Sequence, residues 1–162
     1  MNSNALPIKA AVVRHVVYHM RHVLVAIEPS FQAHDVWSMS SARREYEWEI
    51  KQHMSDLRRE KNKPKHRFGF DPFTGPNHFY IVVPECIEVD AKKWLAKHMP
   101  FAGFAVLRAH GLFEIVTPAP LLHKRRADLK RCSKVARWTS VTLADLMQSK
   151  ANDGALEQRK PA

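Results

Sequence analysis

The stretch Glu45-Tyr46-Glu47-Trp48-Glu49-Ile50-Lys51 alternates without a break. Tyr46, Trp48 and Ile50 fall on one side, and Glu45, Glu47, Glu49 and Lys51 on the other. Only an extended strand sorts a period of two onto two faces. Charged residues in such a pattern usually form an ion-pairing or solvated face. Glu45 and Glu47 are read in that sense, as a solvated strand edge. Glu49 and Lys51, one residue apart on the same face, stand ~7 Å apart along the backbone.

Outward from this strand the chain reads as a mixture of helices and strands. Upstream, Ile8, Val12, Val16 and Met20 recur every four residues and predict a helix over 8–22. Val23–Ile27 and Asp35–Met39 are short apolar strands, with Ser40, Ser41 and Ala42 turning into Glu45–Lys51. Downstream, Ser55 is the expected N-cap of a helix carrying Asp56 in its first turn, which ends by Pro64. Phe68–Pro76 is a Gly- and Pro-rich loop. His78–Val83 reads as a strand, Ala91–His98 as a short helix, and Ala102–Leu107 with Leu112–Thr117 as a hairpin. A basic helix is expected from Leu121 to about Arg137, followed by a second helix, or a continuation, over Val141–Gln148. The order predicts one α/β domain over 1–147, a central mixed β-sheet flanked by α-helices, with a disordered tail over 148–162.

Composition narrows the function classes. The 162 residues carry 45% apolar and 26% charged side chains, as a globular domain does and a disordered chain does not. Lys and Arg number 26 against 16 Asp and Glu, a net charge of +10 that points to a polyanionic partner, foremost nucleic acid. Cys86 and Cys132 form no zinc or disulfide pattern. Ten histidines include no HExxH. No apolar run reaches membrane-spanning length, no signal peptide is read at the start, and the expected location is the cytoplasm.

The chemistry gathers at Asp35, Glu49 and Lys51. Asp35 begins the strand before Glu45–Lys51, so a turn can bring its carboxylate beside Glu49. Two hard oxygen ligands suit Mg²⁺, with Mn²⁺ as a substitute. A bound ion would lower the pKa of a water and offset charge on a phosphodiester, and Lys51 could orient that water or hold a phosphate oxygen. Glu47 is the one alternative ligand.

This arrangement, Asp35 followed after a gap by Glu49-Ile50-Lys51, resembles the PD-(D/E)xK nuclease superfamily. The likeness continues through Ser55-Asp56-Leu57, Lys63 to His66, the Asn77–Glu85 stretch, Ala102-Gly103-Phe104, Gly111 and Ala119. That order is similar to the MmcB-like DNA-repair nucleases and related phage-encoded proteins, over roughly residues 23–137. The resemblance implies a restriction-endonuclease-like fold, metal held by Asp35, Glu49 and the Ile50 carbonyl, assistance from Lys51, and products with a 5′-phosphate and a 3′-hydroxyl. There are departures. His34 stands where the superfamily name has Pro. Many members carry a further acid on the first helix, yet residues 1–27 hold no Asp or Glu. Glu28 is the first carboxylate that could take that role.

Two basic runs complete the pattern. Arg58–Arg67 holds six Lys or Arg and one acid, giving +5, and Lys124–Arg137 holds seven and one acid, giving +6. Charge runs are often solvated faces. Beside a carboxylate site they suggest phosphate contacts by Arg58, Arg59, Lys63, Lys65, His66, Lys124, Arg125, Arg126, Lys130 and Arg131. His53 is a further candidate contact, Asp56 reads first as a helix-start residue with a place beside Lys51 as the alternative, and Tyr80 reads first as core or edge packing with a cleft position as the alternative. The expectation is a Mg²⁺-dependent DNA endonuclease. The alternatives are a non-catalytic DNA-binding or accessory protein on the nuclease fold, and an RNase on the same scaffold.

Overall fold

The alternating stretch forms a strand, β3 (Glu45–Ile50), inside a six-stranded sheet in the computed structural model, which describes residues 6–29, 35–67 and 75–157. The sheet runs in chain order: β1 (Leu24–Ile27), β2 (Val36–Met39), β3, β4 (His78–Pro84), β5 (Gly103–Leu107) and β6 (Phe113–Thr117). β1, β2 and β3 form an antiparallel meander. β3, β4 and β5 are parallel, and β6 returns antiparallel. Parallel neighbours need crossovers, and helices supply them. α2 (Met54–Glu60) and α3 (Pro64–Arg67) lie between β3 and β4, and α4 (Glu88–His98) lies between β4 and β5.

Helices cover both faces. On one, Ile8 and Val12 of α1 (Leu6–Arg14) and Val16 pack on Trp48, Ile50, Tyr80 and Val82. Trp48 and Tyr80 are register partners and stack with ring centroids 4.3 Å apart. Tyr80 is therefore core, the favoured of its two readings. On the other face, Leu57 of α2 and Ala91 and Leu95 of α4 pack on Phe79, Ile81, Val83 and Phe104. α5 (Leu129–Glu157) closes that face over β1 and β2 through Val135 and Trp138 against Ala26, Trp37 and Met39. The chain is thus an α/β domain with a mixed sheet flanked by helices. None of its described helices is long and apolar enough to cross a membrane.

Several boundaries differ from the expected ones. The helix read over 8–22 is α-helical only to Arg14. His15–His19 widen into a π turn, closed by Met20 N–H donating to the His15 carbonyl at 3.1 Å. His53, rather than Ser55, is the N-cap residue of α2. α4 starts at Glu88, where Glu88 and Asp90 favour the positive helix end. Residues 121–128 are not helical. Asn77, fully buried, donates to the carbonyls of His123 and Arg125, and its own carbonyl accepts from Leu122 N–H at 2.9 Å. Those contacts hold the segment irregular. The helix begins after Asp128, whose carboxylate accepts from Arg131 N–H at 2.7 Å as an N-cap. α5 then continues unbroken to Glu157, well into the expected tail. Residues 158–162, His34 and the loop at 68–74 lie outside the described residues.

One glycine is dictated by space. A Cβ on Gly103 would stand 2.5 Å from Tyr80 Cε1 and 2.6 Å from the Ala119 nitrogen. Only Gly lets the segment after β6 lie this close to β5.

Candidate active site

β3 lies between β2 and β4, so its charged face has no open edge. Glu45, Glu47 and Glu49 are 4%, 1% and 2% exposed, and Lys51 is 8% exposed. This corrects the reading of Glu45 and Glu47 as a solvated edge. α5 covers Glu45, where Arg131 Nε lies 2.7 Å from its carboxylate. The α2–α3 segment covers the rest.

Buried charges persist only when paired, and here they are paired densely. Glu49 accepts from Lys51 at 2.9 Å, Lys63 at 3.2 Å and Lys65 at 2.7 Å. Lys65 also binds Glu47. Glu60, the lone acid of the first basic run, is turned inward. It lies 2.7 Å from Lys51, 2.8 Å from Lys63 and 3.4 Å from Lys65, and accepts from His66 Nε2 at 2.9 Å. Three carboxylates thus face three ammonium groups. Burial would raise the Glu49 carboxyl, but Lys65 and Lys51 outweigh it and hold the pKa below the ordinary value. Glu60 is held low against its own burial by His66 and Lys51. Lys51 and Lys65 are pushed up despite burial, Lys51 by Glu49 and Glu60, Lys65 by Glu47 and Glu49. Both remain ammonium cations at neutral pH.

Asp35 joins from the other side. Val36 pairs with Trp48, and one further step of that register sets Asp35 across from Glu49. β2 stops there while β3 goes on. Lys51 N–H donates to the Val82 carbonyl at 2.9 Å, so the Ile50 N–H and C=O, half a pleat away, point toward β2. Asp35 Oδ2 accepts that N–H at 2.8 Å. The acid is therefore fastened to the peptide between Glu49 and Lys51, with the Ile50 carbonyl opening on the same side. Lys51 itself turns to Glu49 and Glu60.

Glu28 directly follows β1 with φ +43°, a left-handed conformation costing roughly 1–2 kcal/mol for a non-glycine residue. Its N–H donates to the Asp35 carbonyl at 3.0 Å. Its carboxylate binds the ammonium of Lys9 on α1, which also lies 3.4 Å from Asp35 Oδ1. The residue that α1 turns toward these acids is thus a lysine, 5% exposed, and composition alone hid it among the basic residues.

Asp35, Glu49 and the Ile50 carbonyl offer oxygen donors only, the set that suits Mg²⁺ or Mn²⁺. Among the described residues no group of three or more His, Cys, Asp or Glu side chains could hold a metal ion. Asp35 is held by the Ile50 N–H and lies beside Lys9, whereas Glu49 is held by Lys51, Lys63 and Lys65.

The basic candidates divide. Lys63, Lys65, His66 and Arg131 are engaged with the buried carboxylates. Arg58, Arg59, Lys124, Arg125, Arg126 and Lys130 are exposed. Arg125, Arg126 and His123 line a small cavity of about 20 Å³ together with Asn77 and Arg131. His53 and Ser55 are exposed, and Asp56 lies 3.9 Å from Arg59. The sequence did carry a signal for Glu60, which follows Leu57 by three residues and so shares its buried helix face.

No protein-family model and no curated protein matches this chain. Among solved structures, a protein of unknown function from Silicibacter pomeroyi is similar over 89% of each chain, with a TM-score of 0.59 and 16% identity. That likeness speaks for the fold alone.

Proposed function

We propose that this chain is a Mg²⁺-dependent DNA endonuclease of the PD-(D/E)xK type. The observation that carries the reading is Asp35, hydrogen-bonded to the Ile50 peptide within Glu49-Ile50-Lys51. The element order supports it too: a helix, a three-strand meander with the acid opening its second strand and Glu-x-Lys ending its third, then a helical crossover to a parallel strand.

Asp35, Glu49 and the Ile50 carbonyl would hold the ion. When bound, it supplies Lewis acidity and a water of lowered pKa. Lys51 stays protonated, so its part is to donate a hydrogen bond to the attacking water or a phosphate oxygen rather than to take a proton. Glu60 and Glu49 fix that ammonium in place. Arg58, Arg59, Lys124, Arg125, Arg126 and Lys130 would meet backbone phosphates, which orients nucleic acid without reading bases.

A second reading has its own support. Lys9 sits among the acids, and Lys63 and Lys65 cover Glu49. A non-catalytic DNA-binding protein would tolerate both. One set of incubations separates the readings: plasmid, single-stranded DNA, branched DNA and RNA, each with Mg²⁺, Mn²⁺ or EDTA. The nuclease reading expects metal-dependent DNA cleavage that Asp35→Ala, Glu49→Ala and Lys51→Ala abolish while binding persists. Salt-sensitive binding without cleavage under any metal selects the second reading, and cleavage confined to RNA reassigns the substrate.

A further inference from the structure

Residues 122–128 form no helix, yet their backbone is tied down along its length. Asn77 takes the Leu122 N–H on its main-chain carbonyl, and its side chain takes the carbonyls of His123 and Arg125. The Arg44 guanidinium donates to the Lys124 carbonyl, and the Arg43 carbonyl accepts from Ala127 N–H at 3.0 Å. Three successive carbonyls, 123 to 125, are thereby held by the body of the domain. Both ends of the Asn77 amide are used: its oxygen accepts from Glu45 N–H at 2.8 Å, and its nitrogen donates at 2.8 and 2.7 Å. A carboxylate at this position could donate to neither carbonyl. What this strap displays outward is charge. Lys124, Arg125 and Arg126 are exposed one after another, and Lys130 follows in the first turn of α5. The one acid among them, Asp128, is engaged with Arg131 N–H. Basic side chains on a fixed backbone lose less freedom on meeting an anion than those on a loose loop.

We propose that Asn77 is a positioning residue for nucleic-acid binding: it sets residues 122–128 as a preordered strap from which Lys124 and Arg126, together with Lys130 on α5, meet the backbone phosphates of duplex DNA. The proposal rests on the DNA-binding part of the reading above, which its catalytic and non-catalytic versions share, and on no metal ion. Phosphates suit the strap better than a lipid surface does. Among the described exposed apolar residues only Leu121 and Leu129 flank it, too few for the apolar face that a membrane-surface helix buries.

The test is fluorescence anisotropy of the full chain with a labelled DNA duplex across a salt series, with circular dichroism and thermal melting to confirm folding. Wild type is compared with Asn77→Ser, with the pair Lys124→Ala and Arg126→Ala, and with all three changes together. The double-alanine variant is expected to flatten the dependence of log K on log[salt] by about 2. Asn77→Ser keeps every charge, so it is expected to weaken binding ~10-fold through the strap's lost order. It is expected to have no further effect once Lys124 and Arg126 are gone, whereas a merely structural role would weaken both backgrounds alike. His123→Ala removes a half-buried ring that lies 3.2 Å from both the Asn77 amide nitrogen and the Gly75 carbonyl. It loosens the strap while leaving the buried amide in place, is expected to act in the same direction, and carries the test if Asn77→Ser does not fold. The proposal is overturned if either folded variant binds as wild type does, if its loss persists undiminished in the double-alanine background, or if the double-alanine variant keeps the wild-type slope. Each of these results leaves the DNA-binding reading standing, because wild type still binds. A wild type that binds no duplex, or binds phosphatidylserine vesicles instead, sinks that reading and this proposal with it.

Discussion

Replacing Glu60 with Gln removes one charge and almost no volume from a buried ion cluster. The native balance is three carboxylates, Glu47, Glu49 and Glu60, against Lys51, Lys63 and Lys65. Glu60→Gln leaves that cluster with a surplus positive charge. The Lys63 contact contributes little, because 38% of that side chain is exposed. The Lys51 contact dominates, with side chains 10% and 0% exposed and 2.7 Å between the charged atoms. Removing one partner of a buried pair costs about 3–5 kcal/mol, and the lower end applies because Lys51 keeps Glu49. A loss of about 3 kcal/mol lowers Tm by about 6–12 °C in a chain of this size. Urea denaturation gives the free energy directly. Adding Lys63→Met to Glu60→Gln restores the count of charges and is expected to recover part of the loss. A Glu60→Gln variant within about 1 kcal/mol of wild type would match an ordinary surface pair and refute the claim that this cluster is a buried, charge-balanced unit.

Three other outcomes follow from the same structure. Burial, with His15 and His78 nearby, holds His22 at a pKa of about 4, neutral and hydrogen-bonded to Ser38 at 2.9 Å. Between pH 6.5 and 4 the unfolded chain binds more protons at this site, so stability is full above pH 6.5 and falls as pH drops. The expected loss from pH 7 to pH 5 is about 1–2 kcal/mol after solvent screening. Urea melts at both pH values check it, and a His22→Asn variant with an undiminished loss would contradict it. Gly103→Ala forces Cβ against Tyr80 and the Ala119 backbone, with an expected cost of about 1–3 kcal/mol; thermal melting reads it, and an unchanged Tm would show the contact gives freely. Replacing Arg125 and Arg126 together with Ala should flatten the dependence of log K on log[salt] for duplex DNA by about 2. Fluorescence anisotropy across a salt series measures that, and an unchanged slope would move the DNA elsewhere.

The alternation at Glu45–Lys51 marks β3 because a period of two has one structural meaning. It cannot say which face is wet. β3 has neighbours on both edges and helices over both faces, so the charged side is as buried as the aromatic one. Glu60 is hidden for a related reason. A run of basic residues reads as solvated, while its single acid is the group that turns the run inward. The helix expected from Leu121 has suitable composition, but Asn77, far away in sequence, claims its backbone carbonyls. Asp35 lies where the spacing expected it, at the start of the strand beside β3. Its bond to Ile50 N–H was not legible, because it depends on β2 stopping one residue short.

Under the proposed function, Asp35 and Glu49 act on one divalent ion beside Lys51. The most direct measurement is the rate of plasmid nicking against Mg²⁺ concentration for wild type, Asp35→Asn and Glu49→Gln, with DNA binding measured in parallel. The claim predicts saturable, EDTA-sensitive nicking by the wild type, a loss of at least ~100-fold in both variants, and binding that stays near the wild-type value. Nicking by either variant at the wild-type rate would contradict it.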